Sequence, residues 1–154
     1  MSNLFDIACN FSSDRFDNDL NEVIQRAKNN NVTKFLVVSA SLKDTEKVYR
    51  IYQDNKDSCF FTIGVHPHHA NEFGSFSSAE MIKLIEKYKP HSVGETGLDF
   101  FRSISSYEEQ LFAFEEQIQI AIDTNLPLFL QQREAHDDYM KIISEYKNEI
   151  SKAV

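Results

Sequence analysis

His66, His68 and His69 crowd into the segment GVHPHHA, directly behind the apolar run FFTI. Imidazole is both a metal ligand and a proton carrier near neutral pH, so the cluster invites a metal-site reading. His66 and His68 are two apart at the end of an apolar run and so face one side of the chain. Two nitrogens do not complete a tetrahedral sphere, however, and Pro67 fixes the loop between them. The pair by itself therefore does not make a metal site. The segment SVGETGLDFFR, residues 92–102, is more specific. Glu95 ends an apolar run with a carboxylate, and Gly94 and Gly97 allow the backbone to turn sharply around it. A carboxylate drawn out of water needs a cation or a hydrogen-bond donor, which makes Glu95 a candidate metal ligand. Gln131 and Arg133 follow another apolar run, and the Arg133 guanidinium there can grip a phosphate bidentately or pair with Glu134 or Asp137. His69 and His91 read as surface residues, and His136 as a structural residue at a helix start.

Such side chains need elements to hold them. Short runs rich in β-branched and aromatic residues occur at residues 4–9, 33–39, 59–65, 91–94 and 126–130. Between them, residues 19–29, 44–54, 78–87, 107–124 and 135–150 carry apolar positions at helical spacing. Strand and helix thus alternate five times. Nearly continuous apolar strands separated by helices predict a parallel α/β sheet, because parallel strands need crossovers and are covered by them. Both an open doubly wound sheet and a (β/α)8 barrel fit that pattern. No GxGxxG or P-loop lysine follows any strand, and the chain has only four glycines, which removes a dinucleotide or triphosphate cradle. The polar residues instead fall just after the strands: Asn10, Ser39 and Ser41, His66 and His68, Glu95 and Asp99, Gln131 and Arg133. Barrel enzymes keep their chemistry at that end, and open sheets bind ligands there too.

Composition narrows the function classes. Lys and Arg number 16 against 24 Asp and Glu, a net charge of −8, so sequence-independent binding of nucleic acid by charge alone is excluded. An acidic protein that handles nucleic acid needs a metal ion to meet the phosphates. Cys9 and Cys59 lie far apart without CxxC spacing and read as reduced core residues. No apolar stretch reaches membrane-spanning length and the amino terminus lacks a signal-peptide pattern, which together predict a cytoplasmic protein with no membrane partner.

Five segments, FDIACNF (5–11), GVHPHH (64–69), VGETGLDFFR (93–102), EEQLFAFEEQIQIA (108–121) and LPLFLQQREAHDDY (126–139), together resemble the TatD-like metal-dependent deoxyribonucleases of the amidohydrolase superfamily. The resemblance implies a TIM-type (β/α)8 barrel whose active site holds one or two divalent ions, Mg, Mn or Zn, and hydrolyses phosphodiesters of DNA or of a smaller phosphoester. It implies that Glu95 is a metal ligand. The family's HxH at the end of the first strand falls on Ala8 and Asn10, which leaves Asn10 a weak ligand, and the family's histidine after the fifth strand is Gln131. A Gln amide offers a neutral oxygen where imidazole offers nitrogen, so metal binding is expected to be weakened. His66, His68 and Arg133 become substrate contacts, and Asp99 a brace for its loop. The family's later histidine and its catalytic aspartate have no counterpart here, so no catalytic base is assigned. A full barrel takes roughly 250 residues, so 154 residues account for about five of eight units. The expectation is thus a single, incomplete domain over residues 1–154, impaired as a hydrolase by itself, with the first and fifth strands as open edges and an inner face open to water. Self-association, or partnership with a chain supplying the missing units, follows. The alternative reading is a non-catalytic interaction module that pairs through those edges, or one part of a split enzyme.

Overall fold

Five β-branched or aromatic runs become strands, and each amphipathic segment between them becomes a helix. The computed structural model describes residues 2–154. The strands are β1 (Leu4–Cys9), β2 (Val32–Val37), β3 (Cys59–Ile63), β4 (Ser92–Asp99) and β5 (Leu128–Arg133). The helices are α1 (Leu20–Asn29), α2 (Thr45–Asp54), α3 (Ser77–Tyr88), α4 (Tyr107–Thr124) and α5 (His136–Tyr146), with a 3-10 turn at Pro67–Glu72. The sheet order is β1-β2-β3-β4-β5 and every pairing is parallel. Sequential order with right-handed crossovers puts all five helices on one side, as the barrel reading requires and the doubly wound one forbids.

Local chemistry sets the boundaries. Ser106 and Glu109 form a reciprocal capping box at the start of α4, and Asn125 ends that helix in the left-handed conformation at φ 52°. Lys89 ends α3 in the same way, and Pro90 follows it. The helices pack on the outer face of the sheet through one cluster that joins Phe35, Val37, Phe61, Ile63, Val93 and Leu128 to Ile24, Val48, Met81, Phe114, Ile118 and Ile142.

Three expectations need correction. Strand β4 does not stop at Gly94: pairing resumes from Thr96 opposite Leu130 and continues to Asp99 opposite Arg133. Gly94 and Gly97 take φ values of 142° and 143°, which let the backbone stay in the sheet across an irregularity between Val93 and Thr96 instead of turning away. The free edge of β5 is partly covered, because Leu128 and Leu130 donate to Lys152 and Val154 while Val154 donates back to Leu128. Residues 152–154 thus lie parallel to β5 in the place a sixth strand takes.

The third correction concerns the inner face. The inner face is expected to be open to water, yet Phe129 on it is only 6% exposed and packs with Leu36 and Val38 of the β2 end, beside Phe60 of β3. It reaches them across β4 because Gly94 has no side chain there; a Cβ at that position would lie 2.9 Å from the Phe129 Cβ. Edge strand β1 does conform to expectation, with Leu4, Phe5 and Ile7 at 56%, 48% and 39% exposure. Since Phe129 fills the inner face, Phe129→Ala should lower the free energy of unfolding by about 3 kcal/mol or more in urea titration. A loss under about 1 kcal/mol would mean that this face is open to water after all.

Candidate functional site

The carboxyl ends of β3 and β4 are held from beneath by two buried amides of α4. Gln117 accepts from the Val65 N–H at 2.7 Å and donates to the Val65 carbonyl at 3.0 Å. Gln110 does the same for Asp99, accepting from its N–H at 2.8 Å and donating to its carbonyl at 3.2 Å. Val65 precedes His66, and Asp99 precedes the loop of residues 100–106. Sequence reasoning assigned neither glutamine a role. The available signal was a polar residue at helical spacing on the apolar stripe of α4.

His66 and His68 are brought together, with ring centroids 4.3 Å apart. The His66 Nδ1 accepts from the His68 backbone N–H at 3.1 Å, so any ring proton of a neutral His66 sits on Nε2, which lies 3.8 Å from Glu95 Oε1. Burial, with the neighbouring His68 ring, lowers the His66 pKa to about 4 and keeps the imidazole neutral, although Asp99 pulls the other way. The His68 Nε2 is 2.7 Å from Asp99 Oδ2. The other oxygen of Asp99 accepts from the N–H groups of Phe101 and Arg102 at 3.1 and 3.0 Å. Burial would raise the Asp99 pKa, but the Arg102 amide and His68 outweigh it and hold it below the usual carboxylate value. Asp99 thus braces both the histidine loop and its own.

Glu95 is a largely buried member of the group. Its side chain is 19% accessible, its peptide bond to Gly94 is cis, and its N–H donates to the Ser39 carbonyl at 3.3 Å. Burial raises its pKa, with a neutral His66 as its neighbour. Gln131 lies in β5 opposite Gly97 and is half-buried. Asn10 accepts from Ser12 at 3.4 Å and lines an open groove of about 410 Å³ with Lys43, His69 and Glu72. Arg133 makes neither expected ion pair. Its guanidinium lies over the Phe101 ring, 3.9 Å from the centroid. His69 is a surface residue paired with Glu72, as expected. His91 is not simply a surface residue: one side is exposed, but its ring packs on Tyr52, Phe60 and Phe61 and accepts from the Phe61 N–H. His136 opens α5, where the Gln132 amide oxygen, turned inward, caps the N–H groups of Ala135 and His136.

The sequential order and parallel pairing are those of part of a β/α barrel, and the family model for TatD-related DNases matches residues 5–154. The chain belongs to the TatD-related DNase family. A 3'-5' ssDNA/RNA exonuclease TatD of Pantoea ananatis is 34% identical over 151 residues, covering 98% of this chain and 58% of the relative. The corresponding protein of Cronobacter sakazakii is 35% identical, with 57% of it covered. Among solved structures, an uncharacterized amidohydrolase from Saccharomyces cerevisiae superposes with a TM-score of 0.86 at 26% identity, over 95% of this chain and 52% of that one. A TatD family hydrolase from Entamoeba histolytica gives 0.84 at 28% identity, over 96% and 56%. This TatD-family chain therefore spans little more than half the length of its relatives, and its five strands form a curled part of their barrel. No helix of the described residues is long and apolar enough to cross a membrane.

Metal dependence is a property of the TatD family. Among the described residues, no group of three or more His, Cys, Asp or Glu side chains is arranged to hold an ion. Glu95 offers one carboxylate and His66 Nε2 one nitrogen beside it, Nδ1 being engaged by an amide, and two donors do not complete a coordination sphere. The loop anchorage is testable separately. Gln117→Ala leaves both backbone groups of Val65 buried and unpaired and should cost about 2–4 kcal/mol in urea unfolding, whereas Gln119→Ala, on the exposed face of α4, should change stability by less than about 0.5 kcal/mol. Equal effects of the two substitutions would contradict the anchoring role.

Proposed function

We propose that residues 1–154 form one domain carrying the first five β/α units of a TatD-type nuclease, and that its carboxyl-end face receives a phosphodiester of nucleic acid or of a smaller phosphoester. The observation that carries this reading is Glu95: a largely buried carboxylate beside a neutral imidazole, at the end of the sheet where β/α folds keep their ligands. Burial without a compensating charge is unfavourable, and a bound cation removes the imbalance. Glu95 is the anchor for a divalent ion, Mg, Mn or Zn, with Gln131 as a neutral-oxygen neighbour. Asn10 lines the open groove with Lys43 and His69. Arg133, with His66 and His68, meets the phosphate. In the hydrolysis a water oxygen forms the new bond to phosphorus while the ester oxygen leaves, and no group of this chain is assigned to activating that water. The buried free thiols of Cys9 and Cys59 support a cytoplasmic setting.

With one carboxylate and a neutral amide as donors, this chain binds divalent ions weakly. Isothermal titration with Mn or Zn should give a Kd above the micromolar range, Glu95→Gln should abolish the residual heat, and Gln131→His should tighten binding by about tenfold or more. A stoichiometric submicromolar site in the unaltered chain would overturn this assignment.

A second reading rests on β1. Its exposed Leu4, Phe5 and Ile7 lie on an unpaired edge, which favours pairing with another copy or with a chain that supplies further barrel units. The 154-residue polypeptide should self-associate with concentration in sedimentation velocity, and Ile7→Lys should shift it toward monomer. A monomer at every concentration would dismiss the edge as an interface between copies.

A further inference from the structure

The loop after β4 presents an aromatic ring to solvent while holding its backbone fixed. The Phe101 N–H donates to the buried Asp99 carboxylate, the Phe100 N–H donates to the Arg133 carbonyl at 3.0 Å, and Ser103 Oγ donates to the Phe100 carbonyl at 2.8 Å. The neighbouring Phe100 ring packs on Tyr107. Phe101 itself is 54% exposed and has no aromatic partner among the described residues; its one close companion is the Arg133 guanidinium. A lone exposed aromatic is ordinary on a protein surface. A ring with a fixed backbone, backed on one side by a cation and bare of other rings, is a stacking surface.

The placement of arginine adds an independent reason. Arg26 and Arg50 lie in α1 and α2 and are paired with Asp19 and Glu46. The other three, Arg15, Arg102 and Arg133, make no ion pair among the described residues, and all sit at the carboxyl ends of strands: after β1, after β4 and at the end of β5. In a chain of net charge −8, two of these unpaired guanidiniums, Arg102 and Arg133, thus lie near Asp99 at the end of the strand that carries Glu95. Guanidinium is suited to phosphate, and it also stacks on planar groups.

We propose that Phe101, backed by Arg133, is a stacking platform for one nucleobase of a single-stranded nucleic acid. The inference rests on the reading of this face as a nucleic-acid site and specifies what that site recognises. Glu95 and Asp99 are four residues apart along β4, about 13 Å of extended strand, so a strand with a phosphate near Glu95 reaches the platform with a base a few nucleotides along. A base inside a duplex has its faces covered by its neighbours, so the platform selects single strands, and it tolerates any sequence because every base has a π-face.

Fluorescence anisotropy on the full chain, at low salt and with excess magnesium, using phosphorothioate-linked probes that resist cleavage, separates the terms. The probes are a labelled ten-nucleotide oligothymidylate and a ten-unit abasic oligonucleotide with the same phosphates and no bases. The thymidylate should bind more tightly. Phe101→Ala should weaken thymidylate binding roughly five- to 150-fold and leave abasic binding unchanged, while Phe101→Tyr retains affinity. Because the ring is exposed, the substituted proteins should keep the parent melting temperature. Equal binding of the two probes, or loss of both alike in Phe101→Ala, overturns the platform while leaving the phosphate-binding face in place. Failure of the unaltered chain to bind even the abasic probe overturns the nucleic-acid reading and the platform with it.

Discussion

Two side-chain amides decide where the functional loops begin. Where β3 and β4 leave the sheet, their last backbone groups are buried and have no strand to pair with, a situation that costs about 1–3 kcal/mol for each unsatisfied group. Gln117 and Gln110 answer this by making the hydrogen bonds a neighbouring strand would have made, one amide to each strand end. They are seven residues apart on α4, about two turns, so one face of one helix sets the relative height of Val65 and Asp99. Everything chemical then follows from those two points. His66 comes directly after the first, and Asp99 at the second returns a carboxylate oxygen to His68.

The same anchoring explains how an open arc of strands holds a defined inner face. The sheet is bent enough for Phe129 to cross over Gly94 and join Leu36 and Val38, and a side chain at Gly94 would collide with the Phe129 carbonyl. Gly97 is in the same situation against Gln131. These two glycines therefore serve closeness between β4 and β5 as much as conformation. The contrast with β1 is instructive: Phe5 packs on Phe60, yet Leu4, Phe5 and Ile7 all stay exposed, which marks that edge as the place where the arc is unfinished.

Element type and order were legible because the period of the apolar pattern switches cleanly between strand and helix, and parallel topology follows from crossovers alone. The strand ends were not, since β4 continues through GETGLD by virtue of positive φ at two glycines, which reads in sequence as a turn. For the site, Glu95, His66 and His68 were identifiable from their types and spacing, and they do converge. Asn10 was named from correspondence with a family motif, and it lines an open groove with Lys43, His69 and Glu72. Gln110 and Gln117 escaped because a polar residue in a helix is ordinarily counted as solvent-facing. Only the tertiary contact with strands remote in sequence reveals that they face inward.

Charge illustrates how a composition can mislead when it is averaged. A net −8 removes any broad basic surface, and that inference holds. It does not follow that the mouth of the barrel is acidic. Arg26 and Arg50 on the helices are matched with carboxylates, whereas Arg102 and Arg133 make no ion pair among the described residues and lie near Asp99, whose own charge is taken up by His68 and two backbone amides. By committing Asp99 inward, the fold leaves those guanidiniums available outward. The buried carboxylate thus has a consequence beyond its loop: its hydrogen bonds to His68 and two backbone amides take up the charge that would otherwise pair with those guanidiniums.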